Sequence, residues 1–241
     1  DVLRAVQSGV IVAGKLNAED RKAVVVLSEK FGWPIFPDVT SGLRLSAHHK
    51  NIIPHFDQIL LSEKFSKSFK PDCVIQFGGR MTSKRLAQWL ELSPPQSYVM
   101  VLNHSLRNDP SHQVTHRVQA SAKDFVNVLL KNKFKTSVIN PRLMSLNRLA
   151  EDVIEKYLND DNNLNEIRAA RLISQLVPEG SNLFLGNSMP IRDVEMFAVA
   201  DRKNVNVTGN RGASGIDGNI ASAAGYCAGS GKLTTVVIGD L

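Results

Sequence analysis

Arg211, Ile216 and Asp217 lie in the string NRGASGIDG (Asn210–Gly218), directly behind the alternating run NVNVTG. Small residues crowded around one Arg let the backbone approach a ligand closely. A strand that passes through a Gly-rich turn into an Ala/Ser-rich helix also presents N–H groups to an anion. The order matches neither G-x-G-x-x-G nor G-x-x-x-x-G-K-[ST], so the turn suits a phosphorylated ligand other than an ordinary dinucleotide. Arg211 reads as a ligand-facing cation, with a solvated loop Arg as the alternative. Asp217 reads as a helix cap. Ile216 is either a core anchor or an apolar wedge against the ligand.

Three more groups of residues could do chemistry. Asp240 follows TTVVIG, where a strand meets its loop; a carboxylate there suits a hard cation such as Mg²⁺, or caps a turn. Ser188 and Arg192 are spaced i, i+4 and share one helix face. If Ser188 opens that helix, its hydroxyl, the guanidinium and the helix N-terminus converge on one anionic group; a Ser N-cap beside a solvated Arg is the alternative. Arg80, Lys84 and Arg85 cluster at another strand-to-helix junction. Three cations at a helix N-terminus oppose the macrodipole, which an expected anion would offset; a solvated basic face is the alternative. His112 and His116 would pair on a metal only if helical, and their segment reads as loop and strand, so zinc is rejected.

The elements that must position these residues alternate between strand and helix, predicting parallel α/β layering. Strands are expected at Gly9–Gly14, Pro34–Val39, Asp72–Gly79, Ser97–Asn103 and, as an edge, His112–Ala120. Helices are expected at Ala18–Gly32, His55–Phe69, Thr82–Leu92 and Ala122–Asn132. After the basic hinge KNKFKTSVINP comes a helix with Pro141 at its start, then one over Glu166–Val177. Strands NLFLGN, NVNVTGN and LTTVVIGD follow, with helices between them. Each of these last three strands ends in a Gly and a polar residue, as if one site were approached from three strands. In open α/β sheets ligands gather at those carboxyl ends.

With 241 residues, the chain is long enough for two cores. Residues 1–150 carry 21 Lys/Arg against 11 Asp/Glu, whereas residues 151–241 carry 8 against 12. Two units are therefore expected, the first facing anions. The cations are scattered with few aromatics between them, which favours small carboxylate or phosphate ligands over nucleic acid. Cys73 and Cys227 have no metal or redox spacing, as expected of a reducing compartment. No apolar run approaches the ~20 residues of a membrane span. No leader is visible, and the first residues read as the interior of a longer protein.

Taken together, FLGNSMPIRDVEMF, NRGASGIDG and VVIGDL, with QFGGRMTSKRLAQWLE and DPSHQVTHRV upstream, resemble the family of SEPHCHC synthases, thiamine diphosphate enzymes of menaquinone and phylloquinone biosynthesis. The resemblance covers essentially the whole chain. It implies two parallel-sheet, three-layer α/β units, the second truncated: a central domain over residues 1–133, and over 134–241 the N-terminal part of the diphosphate-binding domain. It implies thiamine diphosphate with Mg²⁺ or Mn²⁺, decarboxylation of 2-oxoglutarate, and addition of the succinyl carbanion to isochorismate. By the same resemblance Arg211 and Ile216 are catalytic, and Ile216 holds the cofactor bent. Ser188, Arg192, Lys84 and Arg85 bind substrate; Gly215, Ile216, Gly239 and Asp240 bind cofactor; and Asp240 ligates the metal. A pyrimidine-binding domain and the rest of the diphosphate-binding domain are implied as partners in a homo-oligomer, and the segment alone should be inactive. GNSMPIRD is similar to plant-type relatives, which implies a plastid; otherwise the expectation is cytoplasmic. A non-catalytic module that binds a carboxylate metabolite is the alternative.

Overall fold

The structure is a computed structural model, and it describes residues 2–46, 49–132, 134, 139–161, 163–201, 203–210 and 217–239. Every residue of β1 (Gly9–Ala13), β2 (Ile35–Pro37), β3 (Cys73–Phe77) and β4 (Ser97–Leu102) is buried. Near-continuous apolar runs of this kind are what parallel strands covered on both faces require. With β5 (His116–Gln119) they form one parallel sheet, in the order β2-β1-β3-β4-β5. Ile11, Ala13, Ile75 and Phe77 pack on Val24, Leu27 and Phe31 of α1 (Ala18–Phe31), and on Val126 of a later helix. Val10, Val12 and Val74 point the other way, toward Phe56, Phe65, Trp89 and Leu143. The first unit is thus a three-layer sandwich. As expected of an edge, β5 is largely exposed.

The predicted helix over His55–Phe69 is instead two short ones, α2 (Phe56–Ile59) and α3 (Glu63–Ser68). Ser62 accounts for the break: its hydroxyl accepts the Phe65 N–H at 3.3 Å and starts a new helix in place of the old one. The other helices follow the expected spans. Ser83 caps α4 (Lys84–Leu92), Ser121 caps α5 (Ala122–Leu130), and Asn140 precedes Pro141 at the start of α6 (Pro141–Asp160). Asn165 caps α7 (Glu166–Leu176).

A second parallel sheet has the order β7-β6-β8, from β6 (Asn182–Leu185), β7 (Asn206–Gly209) and β8 (Thr234–Val237). Between these strands run α8 (Met189–Phe197) and α9 (Asn219–Ser230). Leu183, Leu185 and Val207 bury against Ala170 of α7 and against Ile191 and Val194 of α8. Val39 and Leu45, from the first unit, complete that cluster. The segment between α5 and α6 packs back on the first sheet: the Phe134 ring tilts against Phe31 with centroids 5.2 Å apart, and Ile139, with Leu143 of α6, enters the core on the other face.

Charge also bridges the two units. His55, buried ahead of α2, places Nε2 at 2.8 Å from the Glu151 carboxylate on α6, and Glu151 binds Arg171 on α7 at 2.6 and 3.2 Å. Burial pushes the His55 pKa below 6.5; the Glu151 carboxylate opposes this, and Arg44 adds to it. Burial works to raise Glu151, but hydrogen bonds from His55 and Arg171 overcome it and hold the carboxyl at about 2. Neutral His55 therefore donates to ionised Glu151. An unfolded chain takes up these protons at higher pH than the folded one, so stability is full above about 6.5 and declines as pH falls. Melting temperature should drop between pH 7 and pH 5, and His55→Gln should flatten that part of the profile. Parallel wild-type and variant profiles would remove His55 as the source.

Candidate functional site

In the second sheet β6 leads through α8 to β7 on one side, while β8 returns on the other side of β6. Strand order reverses at β6, and the crevice at such a reversal is where open α/β sheets hold ligands. The carboxyl ends meet there in register: Leu185 pairs with Gly209 and with Val237, and Gly186 donates its N–H to the Val237 carbonyl at 2.7 Å. Gly209 has to be small, because a Cβ there would collide with the Leu185 carbonyl. Gly239 faces open space. The three Gly-polar strand ends thus form one edge, as the sequence predicts.

Ser188 stands at the N-cap of α8, but not as an ordinary cap. Its backbone has φ 68° and ψ −126°, and its side chain makes no capping hydrogen bond. A non-Gly residue held there costs about 1–3 kcal/mol, and such strain concentrates at functional sites. The hydroxyl is exposed, and the first N–H groups of α8 are left without it. Arg192, also exposed, makes no hydrogen bond or ion pair with a described residue; the carboxyl of neighbouring Asp193 is raised by burial and drawn back by Arg192. An unspent hydroxyl, a helix N-terminus and an uncommitted guanidinium on one helix suit a carboxylate or a phosphate.

At the other basic cluster Arg85 is already engaged: its Nη1 pairs with Asp57 Oδ1 and donates to the Asp57 carbonyl at 3.2 Å. Asp57, buried, also accepts from the Ser83 hydroxyl. Lys84 is exposed one residue earlier. Both lie at the β3–α4 junction, the carboxyl edge of the first sheet, and Lys15 on that edge reaches Thr208 of β7 at 3.5 Å. Gly218, not Asp217, occupies the N-cap of α9, with φ 77°, a left-handed conformation that favours glycine. Arg211, Gly215, Ile216 and Asp240 lie outside the described residues. Among the described residues no group of His, Cys, Asp and Glu is arranged to hold a metal, and no helix is long and apolar enough to cross a membrane. A groove of about 370 Å³ between α6 and α7, lined by Glu155, Arg168, Arg171 and Gln175, takes nothing from the strand ends.

Two buried charges escape a reading of the sequence: Arg44, which is fully buried, and its neighbour in space Glu195, which is 2 % exposed. The one available signal is a cation set between two leucines, in GLRL.

Two parallel sheets with helices between their strands define an α/β protein, and its anion-suited edge lies at a strand-order reversal. The chain belongs to the thiamine pyrophosphate middle-domain family: residues 3–185 match the model described as the middle domain of thiamine pyrophosphate. It is 37 % identical over 244 residues to the 2-succinyl-5-enolpyruvyl-6-hydroxy-3-cyclohexene-1-carboxylate synthase of Chlorobium phaeobacteroides, covering 100 % of this chain and 41 % of that protein. The synthase of Rubrobacter xylanophilus is 36 % identical, with 99 % and 42 % covered. Protein PHYLLO, chloroplastic, of Arabidopsis thaliana is 35 % identical over 267 residues, with 100 % of this chain and 16 % of that protein covered. The chain therefore spans about two fifths of the bacterial relatives it matches.

Proposed function

We propose that the chain forms part of a thiamine diphosphate-dependent SEPHCHC synthase, a transferase that decarboxylates 2-oxoglutarate and joins the resulting succinyl unit to isochorismate. The observation that carries this reading is the carboxyl edge of β7-β6-β8, where an unspent Ser188 hydroxyl and Arg192 stand beside the strand ends Gly186, Gly209 and Gly239. Ser188 and Arg192 hold the substrate carboxylate. Arg211 reaches the reacting centre. Gly215, Ile216 and Gly239 would hold the cofactor, and Asp240 would ligate its Mg²⁺ or Mn²⁺. When bound, the cofactor would supply an acidic carbon whose conjugate base is a nucleophile toward the carbonyl of a 2-oxo acid. Arg85 acts while paired with Asp57, and Lys84 beside it is the freer cation of the two. Residues 1–133 act as the central domain and 134–241 as the first part of the diphosphate-binding domain; the remaining domains and a second subunit complete the site. In a plant-type source the protein works in the plastid, otherwise in the cytoplasm.

Asp240→Asn in the full-length enzyme should weaken Mg²⁺ and thiamine diphosphate together, measured by titrating each against the other. Unchanged cofactor affinity would remove Asp240 from the metal site. Turnover by the 241-residue chain alone, with both cofactors present, would overturn the division of labour proposed here.

A further inference from the structure

Helix α8 has its two ends in different surroundings. Its amino end lies at the strand edge with Ser188 and Arg192, and its carboxyl end is gripped by the first unit. The last carbonyls of a helix have no partner within it. Here the Glu195 carbonyl accepts from Arg44 Nε at 3.1 Å, and the Met196 carbonyl accepts from Gln58 Nε2. The Glu195 carboxylate is held as well, by the Val39 N–H at 2.5 Å. Arg44, wholly buried, places a cation where the helix dipole is negative. Burial pushes its pKa down to about 10, opposed by the charges of Glu195 and Glu151, so it stays protonated at neutral pH.

The gripping segment is itself fixed. Asp38, fully buried, accepts from Thr40 N–H at 2.9 Å, from the Thr40 hydroxyl at 2.6 Å and from Thr82 N–H at 2.5 Å. That last bond ties the segment to the loop that leads into Lys84 and Arg85. The nine residues of α8 span about 13 Å, so a tilt of about 5° at one end moves the other by about 1 Å. The strained backbone of Ser188 fits a helix whose position is imposed from elsewhere.

We infer that Arg44 is a positioning residue: by gripping the carboxyl end of α8 from the first unit, it sets where Ser188 and Arg192 meet an anionic substrate. The inference rests on the proposed role of those two residues in holding a 2-oxo dicarboxylate.

The test is steady-state kinetics of the full-length enzyme carrying Arg44→Met and Glu195→Gln together. This pair removes both buried charges, preserves volume and leaves an acceptor for the Val39 N–H. KM for 2-oxoglutarate should rise about tenfold or more, because misplacements of about 1 Å are costly, while kcat and thiamine diphosphate affinity stay within about twofold. A merely structural role would lower the melting temperature and the active fraction and leave KM alone, and that result would overturn the inference. If the double variant does not fold, Gln58→Ala removes the half-buried donor to Met196 and should raise KM about threefold by a smaller tilt; an unchanged KM in that folded variant also overturns it. Arg44→Lys, which keeps the charge but loses the planar Nε donor, should fall between wild type and the double variant. A wild-type enzyme that neither binds nor turns over 2-oxoglutarate would refute the reading of the site itself; an active wild type with unaltered KM in the variants refutes the positioning role alone.

Discussion

Glu151→Ala should cost about 3–5 kcal/mol of stability, or roughly 6–20 °C in Tm for a chain of this size. Glu151 is the anion shared by His55 and Arg171, at 2.8 and 2.6 Å. Arg171 is 8 % exposed and, among the described residues, would keep only the Glu155 carboxylate, at 3.6 Å. Buried Arg44 would lose part of the charge that offsets its desolvation. Removing half-buried Glu151 is expensive because the buried Arg171 charge remains without compensation. Replacing Glu151 and Arg171 together with Met should be far milder, since neither charge is left behind. Thermal unfolding of the three variants checks this, and a loss below about 1 kcal/mol in Glu151→Ala would mean that solvent screens the cluster as it does a surface pair.

Arg192→Ala should weaken 2-oxoglutarate binding about ten- to a hundredfold. A hydrogen bond to a charged group contributes roughly 1.5–3 kcal/mol, and each 1.4 kcal/mol is about a factor of ten. Stability should hardly change, because Arg192 is exposed and makes no ion pair with a described residue. The loss should shrink for a 2-oxo acid that lacks the distal carboxylate. Equal losses for both substrates would assign Arg192 to the cofactor or to structure.

The sheets were legible because parallel strands buried on both faces must be nearly all apolar, and GVIVA, CVIQF and SYVMVL have that composition, with Gln76 and Ser97 as the polar exceptions. The convergence of the last three strands followed from their shared Gly-polar endings. Local chemistry decided the departures. Ser62 split one predicted helix into two, and Gly218 displaced Asp217 from a cap through a backbone angle that no side-chain pattern announces. Ser188 has the residue type of a helix cap, and only its backbone geometry shows that the hydroxyl is not used as one. The grip on α8 was hidden for a different reason. Its bonds join residues 138 to 156 positions apart, where periodicity and spacing carry no information.

That separation also dictates an order of events as the chain folds. Helices such as α1 and α4 close their ends with neighbours a few residues away, so they can mature while the chain is still extended. The final turn of α8 cannot: its carbonyls wait for Arg44 and Gln58, and loop-closure entropy, rising by about 0.6 kcal/mol per doubling of length, must first be overcome. The carboxyl end of the same helix is thus completed last, by partners made long before it, and a ribosome would release the helix that carries Ser188 and Arg192 unfinished until the two sheets had met.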